Sequence, residues 1–271
     1  MKGPLLVVAY GAALAAACTS FGAGGADETP GDAGTIDGAT PPPVDPGQAS
    51  DDAGVFSDDF EGPAPLPRGW SSLFPSPGAF EPAAGLGADG STGLRVQVAD
   101  GGVPLGVVLR REHGAPTGTR WRYELGFDAK ASVASGNLHG PRITTRASAQ
   151  VMGSGDNRLD FDVTFTPTGA HVATHSPACS ALACGSFNVV PYPHGDTWHR
   201  YRLELDNEPG SAGAYGRLRF FVDETLVLDD VAPFPLYDTT ARTTLFGASF
   251  ANSGTQGSLQ LDNAYVVVTD L

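Results

Sequence analysis

Trp121-Arg-Tyr-Glu-Leu-Gly-Phe-Asp128 decides the fold class of this chain. Trp121, Tyr123, Leu125 and Phe127 alternate with Arg122, Glu124, Gly126 and Asp128. A period of two is that of an extended strand, whose successive side chains point to opposite faces, one toward a core and one toward water. The same rule recurs outward from this stretch. Leu159, Phe161, Val163 and Phe165 alternate with Asp160, Asp162 and Thr164, and Tyr201, Leu203 and Leu205 alternate with Arg202 and Glu204. Leu218, Phe220 and Val222 follow suit, and shorter strands are expected over 94–98, 105–111, 143–151, 245–251 and 258–268. Gly and Pro punctuate them, no stretch carries a 3.6-residue helical period, and no internal repeat is present. Many short strands joined by turns mean a sandwich or a closed barrel.

The chain has 271 residues with 30 acidic against 16 basic side chains, a formal net charge of −14. A nucleic-acid partner is excluded on this balance, because phosphate binding needs clustered Lys and Arg. No nucleophile elbow, P-loop or dinucleotide fingerprint occurs.

The first 54 residues read differently. Lys2 precedes an apolar run over 4–17 that ends in small residues and is too short to span a bilayer. Residues 1–17 are therefore expected to be a signal peptide. The cysteine that follows, Cys18, resembles the lipidated cysteine of a bacterial lipobox, although Ala15 stands where that motif usually has Leu. The resemblance implies a membrane anchor through lipid on Cys18. Thr19 and Ser20 in place of an acidic sorting residue imply the outer membrane or cell surface. Residues 18–54 form an expected disordered tether. From Thr19 to Gly54 the segment carries Asp27, Glu28, Asp32, Asp37, Asp45, Asp51 and Asp52, no basic residue, and several prolines. The remaining cysteines, Cys179 and Cys184, are close in sequence, and a local disulfide between them is the economical pairing in an oxidising compartment. That leaves Cys18 single.

Between residues 55 and 271 several phrases occur in a fixed order. They are Phe56-Ser-Asp-Asp-Phe-Glu-Gly62, Leu66-Pro-Arg-Gly-Trp70, Trp198-His-Arg-Tyr-Arg-Leu-Glu-Leu205, Arg217-Leu-Arg-Phe-Phe-Val-Asp223, Leu226-Val-Leu228 and Leu259-Gln-Leu-Asp-Asn-Ala-Tyr-Val-Val267. Their order resembles the concanavalin A-like jelly rolls, a group that includes laminin-G-like domains, legume-type lectins and laminarinase-like glucanases. The resemblance implies an all-β jelly-roll sandwich of two antiparallel sheets over 55–271. One departure is Asp223-Glu224, where the group usually places Asp-Gly in a hairpin that needs positive φ.

The glucanases of this group carry Glu-x-Asp-x-Glu on one strand, which places the carboxylates on one face for retaining chemistry. Glu204, Asp206 and Glu208 match that spacing but lie on the Trp198 strand, later in the chain than the group's catalytic strand. The positional match is the Leu159 strand, which offers Asp160 and Asp162 and lacks both glutamates. A solvated acidic face is the plain reading of both strands. The expected function is therefore a non-catalytic, lectin-like module for a glycan or a protein partner, with a diverged glycoside hydrolase or lyase as the alternative. No cofactor is required. The resemblance implies at most a structural calcium held by Asp58, Asp59 and Glu61 near the start and Asp262 with Asn263 near the end. His171 and His175 share a face of any strand that contains both, but with Cys179 and Cys184 they fit no common zinc spacing. Of the tryptophans, Trp121 and Trp198 start strands, and packing is also the better reading for Trp70.

Overall fold

The computed structural model describes residues 55–61, 70–72, 81–98, 107–113, 120–146, 158–175, 192–207, 215–235, 242–248, 250–251 and 254–271. Every secondary-structure element among them is a strand. In chain order these are β1 (Val55–Asp58), β2 (Ser71–Ser72), β3 (Glu81–Ala84), β4 (Thr92–Val98), β5 (Val107–His113), β6 (Trp121–Ser135), β7 (Leu138–Arg146) and β8 (Arg158–Thr166). They continue with β9 (Gly169–His175), β10 (Trp198–Asn207), β11 (Tyr215–Val222), β12 (Thr225–Pro235), β13 (Arg242–Ala248), β14 (Phe250–Ala251) and β15 (Gln256–Asp270). The expected lipidation site Cys18, the expected tether, the cysteines Cys179 and Cys184 expected to pair, and Glu208 lie outside the described residues.

Two antiparallel sheets form a jelly-roll sandwich. The larger, eight-stranded sheet runs β12-β11-β10-β6-β15-β4-β3, with β1 also paired to β15; the smaller, seven-stranded sheet runs β2-β5-β13-β7-β8-β9, with β14 also paired to β7. The chain crosses between sheets repeatedly, as a sandwich with Greek-key connections requires.

Alternation sets which residues meet between the sheets. Trp121, Tyr123, Leu125 and Phe127 of β6 and Tyr201, Leu203 and Leu205 of β10 are fully buried, as are Leu159, Phe161, Val163 and Phe165 of β8. Rings dominate this layer. Phe127 and Tyr201 stack at 5.5 Å between centroids, and Phe165 meets Tyr201 edge-on at 5.4 Å, both favoured arrangements. Trp70 belongs to the same core, packed edge-on against Phe56 at 5.0 Å.

Two irregularities show how local chemistry shapes the sheet. Between Asp262 and Tyr265 the β15 register against β6 slips, and Asn263 takes a left-handed φ of 48°. Asn tolerates that region better than most residues, and the extra residue makes a bulge. The bulge lays the Tyr265 ring over Gly126, where an added Cβ would come within 2.0 Å of the ring, so only glycine admits the packing. The second is the β11–β12 hairpin. Asp223 and Glu224 have φ of 48° and 62°, so the loop keeps the double positive-φ turn without glycine.

Candidate functional site

Because Leu159, Phe161, Val163 and Phe165 face the core, Asp160, Asp162 and Thr164 point outward from the smaller sheet. Antiparallel pairing aligns them with residues of neighbouring strands in rows that cross the sheet. One row of Cα partners is Ser71, Arg110, Leu245, Arg142, Asp162 and Ala173, from β2 to β9. The next contains Thr243, Thr144 and Asp160. A third places His139, Thr164 and His171 side by side on β7, β8 and β9.

The side chains in these rows form one bonded cluster. His139 Nδ1 is 2.8 Å from Asp162 Oδ2 and 3.1 Å from Thr164 Oγ1, and Thr164 donates to Asp162 Oδ1 at 3.3 Å. Thr144 donates to Asp160 Oδ1 at 2.7 Å, and Asp160 Oδ2 lies 3.3 Å from Arg142 and 3.6 Å from Arg158. Both carboxylates are buried, Asp160 at 2% and Asp162 at 1% exposure. Arg110, Arg142, Thr144 and His171 are partly exposed and Arg158 is exposed. The exposed and partly exposed side chains described on this face are therefore Arg110, Arg142, Arg158, Thr144 and His171, on a chain whose net charge is −14.

Among the described residues of the face, the buried atoms Arg142 Nε and His171 Nδ1 have no hydrogen-bond partner. Leaving such groups unsatisfied costs about 1–3 kcal/mol each, a cost relieved when a ligand supplies the partner. Burial pushes the His171 imidazole below its ordinary value; the Asp162 carboxylate opposes this and the His139 ring adds to it. A neutral imidazole with an open nitrogen can accept a proton near neutral pH.

The expected acidic face of β8 is thus corrected: Asp160 and Asp162 are not solvated but buried under the basic and hydroxyl side chains around them. The same correction applies to Glu204 and Asp206 on β10, each 3% exposed on the outward side of the larger sheet. Arg122 grips Asp206 through two hydrogen bonds of 2.7 and 3.0 Å, and Arg219 reaches Asp206 at 2.5 Å and Glu204 at 3.0 Å. Arg202 also pairs with Glu204, while its guanidinium lies 3.8 Å over the Phe221 ring. Burial pushes the Glu204 carboxyl up, and Arg219 and Arg202 oppose the shift. These two acids are crosslinks of the sheet's outer face.

The acids read as calcium ligands have other partners. Asp58 accepts from the Phe60 amide and from Trp70 Nε1, each at 2.8 Å. Glu61 accepts from the Thr92 amide and hydroxyl. Asp262 accepts from the Ala88 amide at 2.9 Å, Ser91 Oγ at 3.1 Å and the Asn263 amide at 2.8 Å, and Asp59 from the Glu61 amide at 3.1 Å. These oxygens are aimed at protein donors, and no group of three or more His, Cys, Asp or Glu among the described residues is arranged around a common point for a metal.

His139 and Arg142 escape a reading of the sequence for a physical reason. The β7 register slips between them, so the strand breaks strict alternation. Gly140 sits at the slip, where an added Cβ would come within 2.8 Å of the Phe165 ring. The available signal was the concentration of His and Arg in a Gly-Pro-interrupted run, Leu138-His-Gly-Pro-Arg142.

No protein-family model and no curated protein matches the chain. Solved structures do. An endo-β-1,4-glucuronan lyase from the fungus Trichoderma reesei aligns with a TM-score of 0.49 and 13% identity, over 80% of this chain and 96% of that one. The laminarinase catalytic domain of Thermotoga maritima aligns with a TM-score of 0.49 and 12% identity, over 81% and 98%. A laminarinase from Flavobacterium sp. UMI-01 aligns with a TM-score of 0.45 and 14% identity, over 79% and 100%. What is shared is the jelly-roll fold.

Proposed function

We propose that this domain cleaves a uronate-containing polysaccharide by β-elimination on the outward face of the smaller sheet. The observation that carries the reading is the pairing of two unsatisfied buried atoms, Arg142 Nε and His171 Nδ1, on one face of an acidic protein. A sugar carboxylate would complete the Arg142 guanidinium, and neutralising it acidifies the adjacent C5–H. His171, held neutral by burial, takes that proton. The C5–H electron pair forms the C4=C5 double bond, the C4–O bond breaks with its pair, and the leaving oxygen takes a proton from water. Asp162 and Thr164 fix the His139 ring at the edge of the same cluster.

Elimination is favoured over hydrolysis because both carboxylates of the face are occupied by Arg, His and Thr partners, whereas retaining hydrolysis needs two carboxyls about 5 Å apart and turned toward the sugar. A non-catalytic glycan-binding module on the same face is the second reading, supported by that same internal saturation of Asp160 and Asp162. Incubation with a panel of uronate and neutral β-glucan polymers separates the readings. The expected result is new reducing ends together with the ultraviolet absorbance of an unsaturated uronate, lost by about a hundredfold in His171→Ala. Reducing ends without that absorbance would mean hydrolysis, and tight binding without either signal would mean a lectin-like module.

We propose further that the domain is displayed from a membrane through lipid on Cys18, an arrangement supported by the composition of residues 1–54.

A further inference from the structure

Resting on that reading, we infer that Asp162 is the positioning residue of the elimination site: buried beneath the face and out of reach of the sugar, it holds the ring of His139 and acts through its charge on the base, His171. Register puts it in the place to do so. Thr164 is the Cα partner of His139 on β7 and of His171 on β9, so the two imidazoles flank one residue of β8. Asp162 is two places earlier on β8, on the same outward side, and so lies diagonal to His171. Its own Cα partner on β9 is Ala173, which contributes only a methyl group.

Hydrogen bonds converge on this carboxylate from the other side. A carboxylate only accepts, so His139 Nδ1, 2.8 Å from Oδ2, supplies the hydrogen of that bond, and Thr164 donates its own to Oδ1 at 3.3 Å. Asp162 is 1% exposed, so water screens its charge from the second imidazole far less than it would at the surface. Burial lowers the proton affinity of His171, the Asp162 carboxylate raises it, and the His139 ring lowers it by a smaller amount than the carboxylate raises it. The other charged groups of the face, Arg142, Arg158 and Asp160, pair with one another. Along β9, His175 is Cα partner of Asp160, two rows from His171, and Tyr192, bridged to β9 at Ala170, packs against the core. Burial alone would leave His171 neutral but weak as a base. The carboxylate beneath restores part of its strength, which is what removal of the C5 proton needs.

The test follows His171 by nuclear magnetic resonance of the full chain with labelled histidine rings, without sugar, its signal identified by its loss in His171→Ala. Asp162→Asn is expected to move the His171 titration to lower pH, because the larger of the two charge effects is removed, and His139→Gln to move it to higher pH. The acid limb of the elimination rate is expected to move in the same two directions, since a base works only when deprotonated. A merely structural role would not displace one group's titration in opposite directions. If Asp162→Asn does not fold, Asp162→Thr takes its place, keeping an acceptor for His139 on a β-branched side chain, with the same shift expected. A His171 titration unmoved in these variants, or moved the same way in both, would overturn the role of Asp162 and leave the elimination reading standing. Opposed shifts without unsaturated product from any uronate polymer would instead overturn the elimination reading, and with it the catalytic meaning of Asp162.

Discussion

Glu224 shows what a single residue can carry against its own preference. Its φ of 62° and the 48° of Asp223 belong to a turn in which glycine is normally used. A side chain in the left-handed region costs roughly 1 kcal/mol. Part of that cost is offset by bonds that fix the turn to the start of β10: Asp223 Oδ1 accepts from the Arg200 amide at 2.9 Å, and its Oδ2 lies 2.6 Å from His199 Nδ1. The Glu224 contact to Arg202, at 3.5 Å on the surface, is weak. Glu224→Gly is therefore expected to stabilise the domain by about 0.5–1 kcal/mol, read as a rise in the denaturant midpoint at unchanged slope. A fall in the midpoint would mean that the surface ion pair matters more than the backbone. The sequence marked this position as a departure and left the turn type open. Backbone dihedrals answer it, because register on both sides of the turn, not the turn residues alone, holds the loop in place.

At the scale of elements, β1 is the first described strand of the sandwich. Among the described residues it pairs with β15, and it carries Asp58, whose carboxylate ties β1 to the Phe60 amide and the Trp70 indole. Burial pushes the Asp58 carboxyl up to about 6, against the pull of those two hydrogen bonds, and Asp59 and Asp262 add to the rise. The folded-state value lies above the unfolded one, so between about pH 4 and pH 6 the native state holds the proton that the unfolded state has released. Stability from this group is therefore greatest at low pH, falls as pH rises through that window, and is flat above it. The loss is on the order of 2–3 kcal/mol. The stability difference between wild type and Asp58→Asn, followed by denaturation from about pH 4 to pH 7, is expected to change in this direction. A difference independent of pH would show that Asp58 is not buried as a charge. The sequence placed Asp58 correctly at the seam of the first and last strands. It could not show that Trp70 and Phe60 fill the carboxylate's coordination, because those contacts depend on the left-handed turn at Phe60, with φ of 59°.

Over the whole molecule both sheets bury acids under arginines on their outward faces. On the larger sheet Arg122, Arg202 and Arg219 pair with Glu204 and Asp206, while Arg202 Nε, Glu204 Oε2 and Arg219 Nε are without a hydrogen-bond partner. On the smaller sheet Asp160 and Asp162 are paired in the same way, and Arg142 Nε and His171 Nδ1 are without a hydrogen-bond partner. Alternation in β6, β8, β10 and β11 made the sandwich legible, since period two survives in any sheet with one face in a core. The site was half legible. Asp160 and Asp162 lie on the strand chosen by position, but they are buried where exposure was expected. Polar residues on an outward face read as solvated until neighbouring strands are in register and long Arg side chains fold over them. His139 and Arg142 were lost to the β7 slip, and His171 was weighed only as a metal ligand. The central claim is that the outward face of the smaller sheet is where glycan is held. Amide hydrogen exchange on the His171→Ala chain, with and without a uronate oligosaccharide, tests it directly. Protection gained in β7, β8 and β9 with β10 and β11 unchanged is the predicted result, and protection confined to β10 and β11 would contradict the account.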